Sequence, residues 1–445
     1  MKSTRLCLAL CPLVMSLACM PDVGQDPVPA ALEFDPTGEP ARVPAPIDLV
    51  INPETGFIDF SMIGVDVPDV CDGEGMAVAN CEFLQYLESL DGFPTVLPAT
   101  APVSDAVDMA TAILQTNVIL IDATAGELVD KNGLTLAFDE VTKQLIIDSP
   151  TGWQPGVKYV LGVKGGADGV KAQGGVEMVG SPIMFLLKKE ESLLCGAADA
   201  EAISEDCPYY GLLFEMGMND AEVREGLVVL EGLRQMIEGS GMWQALQEVA
   251  GMTKADAAVA WSFPTHSASV VEIDPSKPIL PEVVSSTEIR LGFKGGIDSA
   301  TAKVWSMAKP GNIFVLDLTE LEKGDLAKGL PKATAAVDGD QIVLTLDAPF
   351  TDGHTMGLLI SKGLTDEEGV AFVPSPVTVL LRASGPLVDE SGKSLVDDIS
   401  DGDAAMLEAG RKDLALLLDD EMFAGFTKLS RPDLVYVYAF DFPNP

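Results

Sequence analysis

The first half of this chain recurs, in the same order, in its second half. Asp108-Met-Ala-Thr111 returns as Asp298-Ser-Ala-Thr301, and the asparagine-led apolar run Asn117-Val-Ile-Leu-Ile-Asp122 returns as Asn312-Ile-Phe-Val-Leu-Asp317. Gly156-Val-Lys-Tyr-Val-Leu-Gly-Val163 matches Gly353-His-Thr-Met-Gly-Leu-Leu-Ile360, and Ser181-Pro-Ile-Met-Phe-Leu-Leu187 matches Ser375-Pro-Val-Thr-Val-Leu-Leu381. Ala260-Trp-Ser-Phe-Pro264 returns as Ala439-Phe-Asp-Phe-Pro443. A single match between short apolar strings is chance. Five in unbroken order, at a lag of roughly 180 to 200 residues, are not, and that lag is far too long for a solenoid repeat. The chain reads as two domain copies.

Each copy has the same internal plan. In the first, β-type runs at residues 117–122, 134–138, 144–148, 158–163 and 182–187 are separated by Gly, Pro, Asp and Asn. A spacing of about ten residues fits an antiparallel sandwich rather than alternating βα units. In the second copy, residues 333–337 and 341–346 flank Asp338-Gly-Asp340, a tight-turn signal. Later the period changes. Val223, Leu227, Leu230, Leu233 and Ile237 fall at three- and four-residue steps, which predicts a helix over 220–238, continued over 243–249. The second copy repeats this at 404–418 and 422–429, and a final strand closes each copy at 257–263 and 434–442.

The first twenty residues predict export. Lys2 and Arg5 form a basic n-region, residues 6–17 an apolar h-region, and Ser16-Leu-Ala-Cys19 a small-residue cleavage site. No later run reaches the roughly 18 consecutive apolar residues that a membrane-spanning helix needs. The expected organisation is a signal peptide (1–18), a flexible proline-rich tether (19–45), copy 1 (46–268), a Pro-rich linker (269–284) and copy 2 (285–445). The linker, with Pro275, Pro278 and Pro281, is expected to hold the copies end to end; packing of the copies into one body is the alternative. Cys19 sits where a lipoprotein signal places its lipidated cysteine, although Ser16 replaces the usual leucine; simple cleavage after Ala18 is the other reading. Cys7 and Cys11 leave with the leader. Cys71, Cys81, Cys195 and Cys207 remain as an even set whose spacing suggests bridges 71–81 and 195–207, with the other pairings open.

Acidic residues outnumber basic ones 68 to 28, for a formal net charge of −40. Such a surface repels nucleic acid and anionic membranes, so membrane contact is expected only through an N-terminal anchor. The acidic segments 66–74 and 397–403 fail the EF-hand pattern, and neither a metal nor a cofactor is expected.

Residues 101–111 leading into 117–122, and Phe293-Lys-Gly-Gly-Ile-Asp-Ser-Ala-Thr301 leading into 312–317, resemble the opening of bacterial Ig-like domains. Together with the helical insertion and the Ala-Trp-Ser-Phe-Pro ending, the pattern is similar to the non-catalytic N-terminal region of bacterial surface lipoprotein lipases of the virulence-factor type. The resemblance implies a mainly β fold of two tandem Ig-like antiparallel β-sandwich domains, each with a helical insertion before its last strand, and a surface location. It does not imply lipase activity. No G-x-S-x-G elbow occurs, and Gly239-Ser-Gly241 reads as a helix break. His266 and His354 read as solvent-exposed loop residues, and the acidic pairs Asp139-Glu140 and Glu190-Glu191 follow from composition alone. Trp153, in a Thr-Gly-Trp-Gln-Pro loop, is the candidate surface ligand-binding residue; the other tryptophans read as core.

The expected function is that of a non-catalytic lipoprotein of the outer membrane or cell surface, a spacer or a binding module with an envelope protein or polysaccharide as partner. A dedicated polysaccharide- or protein-binding adhesin is one alternative. A hydrolase accessory protein, or an esterase without a recognisable nucleophile elbow, is the other.

Overall fold

The computed structural model describes residues 29–36, 42–215, 218–267, 282–293, 296–397, 399–419, 427 and 429–442. The predicted signal peptide (1–18), Cys19, nearly all of the linker and most of the short helix expected at 422–429 lie outside these residues. In chain order the first copy holds β1 (Ala30–Leu32), α1 (Val78–Glu88), β2 (Ala99–Pro102), β3 (Val118–Asp122), β4 (Glu127–Leu128), β5 (Thr135–Asp139), β6 (Gln144–Asp148), β7 (Lys158–Lys164) and β8 (Met178–Gly180). It continues through α2 (Pro182–Leu187), α3 (Pro208–Glu215), α4 (Asp220–Gly239) and α5 (Met242–Ala250) to β9 (Ala257–Pro264). The second copy holds β10 (Glu282–Ser285), β11 (Glu288–Gly292), β12 (Ile313–Asp317), α6 (Leu318–Glu322), α7 (Leu326–Gly329), β13 (Ala333–Asp338), β14 (Gln341–Leu346) and β15 (His354–Ser361). Helices α8 (Pro376–Leu381) and α9 (Asp401–Leu418) then lead to β16 (Leu434–Phe442).

Each copy contains two antiparallel sheets of matching order. β2-β6-β5 corresponds to β11-β14-β13, which β10 extends at one side, and β4-β3-β7-β9 corresponds to β12-β15-β16. In the second copy Ile313 and Val315 of β12 join Leu344 of the facing sheet in one core, while Phe314 and Leu316 join Leu414 of α9 in another. The middle sheet is covered on both faces, by a sheet and by helices. That is why its strands read as continuous apolar runs rather than alternating ones.

The ladders set the correspondence residue by residue. Pro102 pairs with Gln144 as Gly292 pairs with Gln341, and Asp122 pairs with Tyr159 as Asp317 pairs with Met356. Tyr159 in turn pairs with Phe263, and Met356 with Phe440. Phe263 therefore matches Phe440, which puts the Ala-Trp-Ser-Phe-Pro alignment two residues out of register. A two-residue slip keeps every side chain on its own face of the strand, so the apolar pattern alone could not reveal it.

The Asp-x-Ala-Thr turn is a repeated staple. Thr111 Oγ1 donates to Asp108 O at 2.7 Å and accepts from Lys171 N at 2.9 Å; Thr301 Oγ1 donates to Asp298 O at 2.9 Å and accepts from Thr365 N at 3.1 Å. Asn117 and Asn312 lock the same turn by donating to Thr111 O and Thr301 O at 2.6 and 2.9 Å.

Several expectations are corrected. The runs at 182–187 and 375–381 form helices, not strands, because Ser181 and Ser375 cap them by accepting from Met184 N and Thr378 N, with proline in the first turn. The expected tether is part of the fold from residue 30. Ala30, Leu32 and Phe34 are buried at alternate positions, and β1 pairs in parallel with β8. Helix and strand both contribute heavily, so the fold is less purely β than expected.

The copies also touch through more than a linker. Tyr86 Oη of α1 donates to Pro374 O at 2.8 Å, and Asn80 Nδ2 donates to Asp397 Oδ2 at 2.8 Å while its Oδ1 accepts from Asp397 N at 3.0 Å. Val379, Leu380, Ala383 and Leu387 join the first copy's core, so the end-to-end arrangement gives way to packing side by side.

Candidate functional site

Each long helix is anchored by a buried ion pair. In α4, Glu231 is bound at 2.8 to 2.9 Å by Arg234 and accepts from Leu193 N at 2.9 Å. In α9, Glu408 is bound by Arg411 at 2.7 to 2.9 Å and accepts from Leu387 N at 2.9 Å. The arginines hold both carboxyls well below the usual range, to about 2. Every group here is spent on fixing the helix to the loop that follows α2 or α8. These pairs are structural.

The expected site residues are scattered. Trp153 is only 2% exposed; its indole N–H donates to Leu97 O at 2.6 Å and its rings pack on Tyr159 and Phe263 at 5.1 and 5.8 Å. It is a core residue rather than a surface platform, because aromatic burial and a main-chain acceptor are both available to it in that loop. His266, expected in solvent, is buried against the segment around Phe93, whose carbonyl accepts its main-chain N–H at 3.0 Å. The cysteines form two disulfides, Cys71–Cys81 and Cys195–Cys207. The first ties the acidic 66–74 segment to α1, and the second closes the loop before α3. In segment 397–403, Asp397 is engaged by Asn80 and Asp401 accepts from Ser394 N at 2.8 Å. Among the described residues no group of three or more His, Cys, Asp and Glu converges as a metal site.

An extended cleft lies in the second copy, along the outer edge of β12, with a volume of 1270 Å³. Its walls are segments that differ from the first copy. Asn117 follows Thr111 by six positions, whereas Asn312 follows Thr301 by eleven. The added residues make a turn that carries Trp305, stacked on Phe314 at 5.4 Å, and the exposed Met307. In chain order, helical turns α6 and α7 replace β4 between the two sheets of the second copy.

His354, expected in a solvent-exposed turn, instead heads β15 at the end of this cleft with its side chain 16% exposed. Its Nδ1 lies 2.8 Å from Asp317 Oδ2 and its Nε2 3.8 Å from Glu320 Oε1. Asp317 also caps α6 by accepting from Glu320 N at 3.0 Å, and the Lys323 ammonium holds the Glu320 carboxyl below its usual range. A hydrolytic triad places a nucleophile at the ring nitrogen opposite the aspartate. Here that nitrogen faces a second carboxylate. The constellation clamps α6 to the head of β15 at the end of the cleft.

No family model and no curated protein matches the chain. Among solved structures it is similar to the N-terminal part of the bacterial S-layer protein SbsC, with 20% identity over 37% of this chain and 34% of that chain and a TM-score of 0.17. It is also similar to domains 1-6 of the surface layer protein SbsC, with 18% identity over 43% and 20% and a TM-score of 0.18. The chain thus spans about a third of the first and a fifth of the second. TM-scores this low do not establish a common fold. Among the described residues no helix is long and apolar enough to cross a membrane.

Proposed function

We propose that this chain is an exported, non-catalytic protein of the cell envelope, held at the outer membrane or cell surface through Cys19 and built from two Ig-like sandwiches. The observation that carries this reading is the pairing of Cys71 with Cys81 and of Cys195 with Cys207 into disulfides, a cross-linking that persists in oxidising compartments. The leader motif and the strongly acidic surface agree with it. Two antiparallel sheets around a shared core in each copy support the Ig-like reading, and docking of the copies supports a rigid spacer. The open cleft in the second copy favours a binding module over a bare spacer.

The mass of the mature N-terminus tests the anchor. Acyl groups on Cys19, and release of the protein from membranes by Cys19→Ser, are expected; a mature chain starting at an unmodified Cys19 removes the anchor. Turnover of ester or glycoside substrates by clean protein would sink the non-catalytic claim.

A further inference from the structure

The duplication supplies an internal control for the cleft. In the first copy, the outward main-chain groups of Leu120 on β3 are satisfied: its N–H donates to Gln115 Oε1 at 3.3 Å, and its carbonyl accepts from Val129 N at 3.1 Å and Gln115 Nε2 at 3.0 Å. Strand β4, immediately before Val129, runs antiparallel along that edge. The matching residue on β12 is Val315. Asn312 O accepts from Ser361 N on the β15 side, whereas Ile313 O accepts from Trp305 N on the outer side. Alternate residues point opposite ways along a ladder, so Val315 faces outward like Ile313. Val315 lines the cleft, and among the described residues nothing pairs with its outward N–H and C=O; α7 runs beside the strand without bonding to it.

We propose that this edge is the docking site for a short extended peptide segment of a partner protein, which adds antiparallel to β12 as β4 adds to β3. Main-chain bonds to Val315 would supply affinity, and the apolar flanks at Trp305 on one side and Phe350 on the other would take alternate side chains. The volume exceeds the roughly 300 to 1,000 Å³ of small-molecule pockets, which suits several residues of chain. The inference rests on reading the cleft as a binding rather than a catalytic site.

The probe is a fluorescein-labelled heptapeptide with the sequence of residues 124–130, Thr-Ala-Gly-Glu-Leu-Val-Asp, titrated by anisotropy against the intact mature protein. Saturable binding is expected, with slowed amide exchange over residues 312–317. Methylating the peptide nitrogen at its valine, the place of Val129, removes one main-chain bond and is expected to weaken binding about tenfold. Met307→Glu, at an exposed position on the rim, sets a like charge beside the acidic peptide and is expected to weaken it as well without touching the fold. No saturable change up to about 1 mM protein, or equal binding of the methylated peptide, overturns the proposal. Cleavage of the peptide, read by mass spectrometry, would instead overturn the non-catalytic reading on which it rests.

Discussion

Glu231 and Glu408 perform one task 177 residues apart. Each is nearly fully buried, receives an arginine three residues on, and accepts the main-chain N–H of Leu193 or Leu387. Replacing one carboxylate leaves an uncompensated buried guanidinium, so Glu408→Gln is expected to cost about 3 to 5 kcal/mol in chemical unfolding. The same change at an exposed acid such as Glu390 should fall within about 0.5 kcal/mol. These pairs were not legible in the sequence, because Glu and Arg at a three-residue step on an acidic helix look like a solvated face. Their only written signal is recurrence at the lag that also relates Phe263 to Phe440. Trp153 misled in the opposite way, since a Gly-Trp-Gln-Pro loop looks exposed. Its burial predicts that Trp153→Ala destabilises the chain by about 3 to 5 kcal/mol and loses no ligand that the folded protein retains; normal stability with lost binding would reinstate the surface role.

At the scale of elements, α1 is the joint between the copies, and its fit depends on Gly385. A Cβ there would stand 2.6 Å from the Val78 Cβ, closer than real side chains approach. The matching position in the first copy is Glu191, on a face where Phe185 is exposed at the place of the buried Val379. The two faces share ancestry, but only the second is cut for α1. Gly385→Glu is therefore expected to separate the copies: the radius of gyration in solution scattering should rise and calorimetry should show two transitions, with helix content unchanged. A single unshifted transition would mean that α1 is not the joint. Cys71–Cys81 closes a short loop onto this helix, and its removal is expected to cost about 3 kcal/mol. Strands β3, β5, β6, β7 and β9, the long helices and both short disulfide loops were legible from period and spacing. The helices α2 and α8 were not, because an apolar run of six suits a buried helix as well as a strand, and only the serine and proline at its start decide the matter.

Over the whole molecule, two electrostatic effects of opposite sign set how stability responds to pH. A formal charge of −40 repels itself across the compact chain, and protonating exposed carboxylates as pH falls from 7 towards 5 relieves that repulsion. Glu231 and Glu408 oppose this at lower pH. Their folded pKa values near 2 lie below the unfolded value of 4.5, so the stability they contribute is fully present above about pH 5 and is lost as pH falls towards 2. Melting temperature should therefore rise on acidification from pH 7, peak near pH 5 and then fall. Salt separates the two limbs. Exposed charges are screened over about 10 Å at 0.1 M, whereas buried pairs are screened much less. Raising sodium chloride from about 0.02 to 0.3 M should flatten the neutral limb by a few degrees and leave the acid limb in place. Calorimetry on the mature protein at the two ionic strengths measures both limbs. A melting temperature that falls steadily from pH 7 at low salt would show that surface repulsion is too weak to matter. An acid limb unchanged in Glu408→Gln would remove the buried pair from the account.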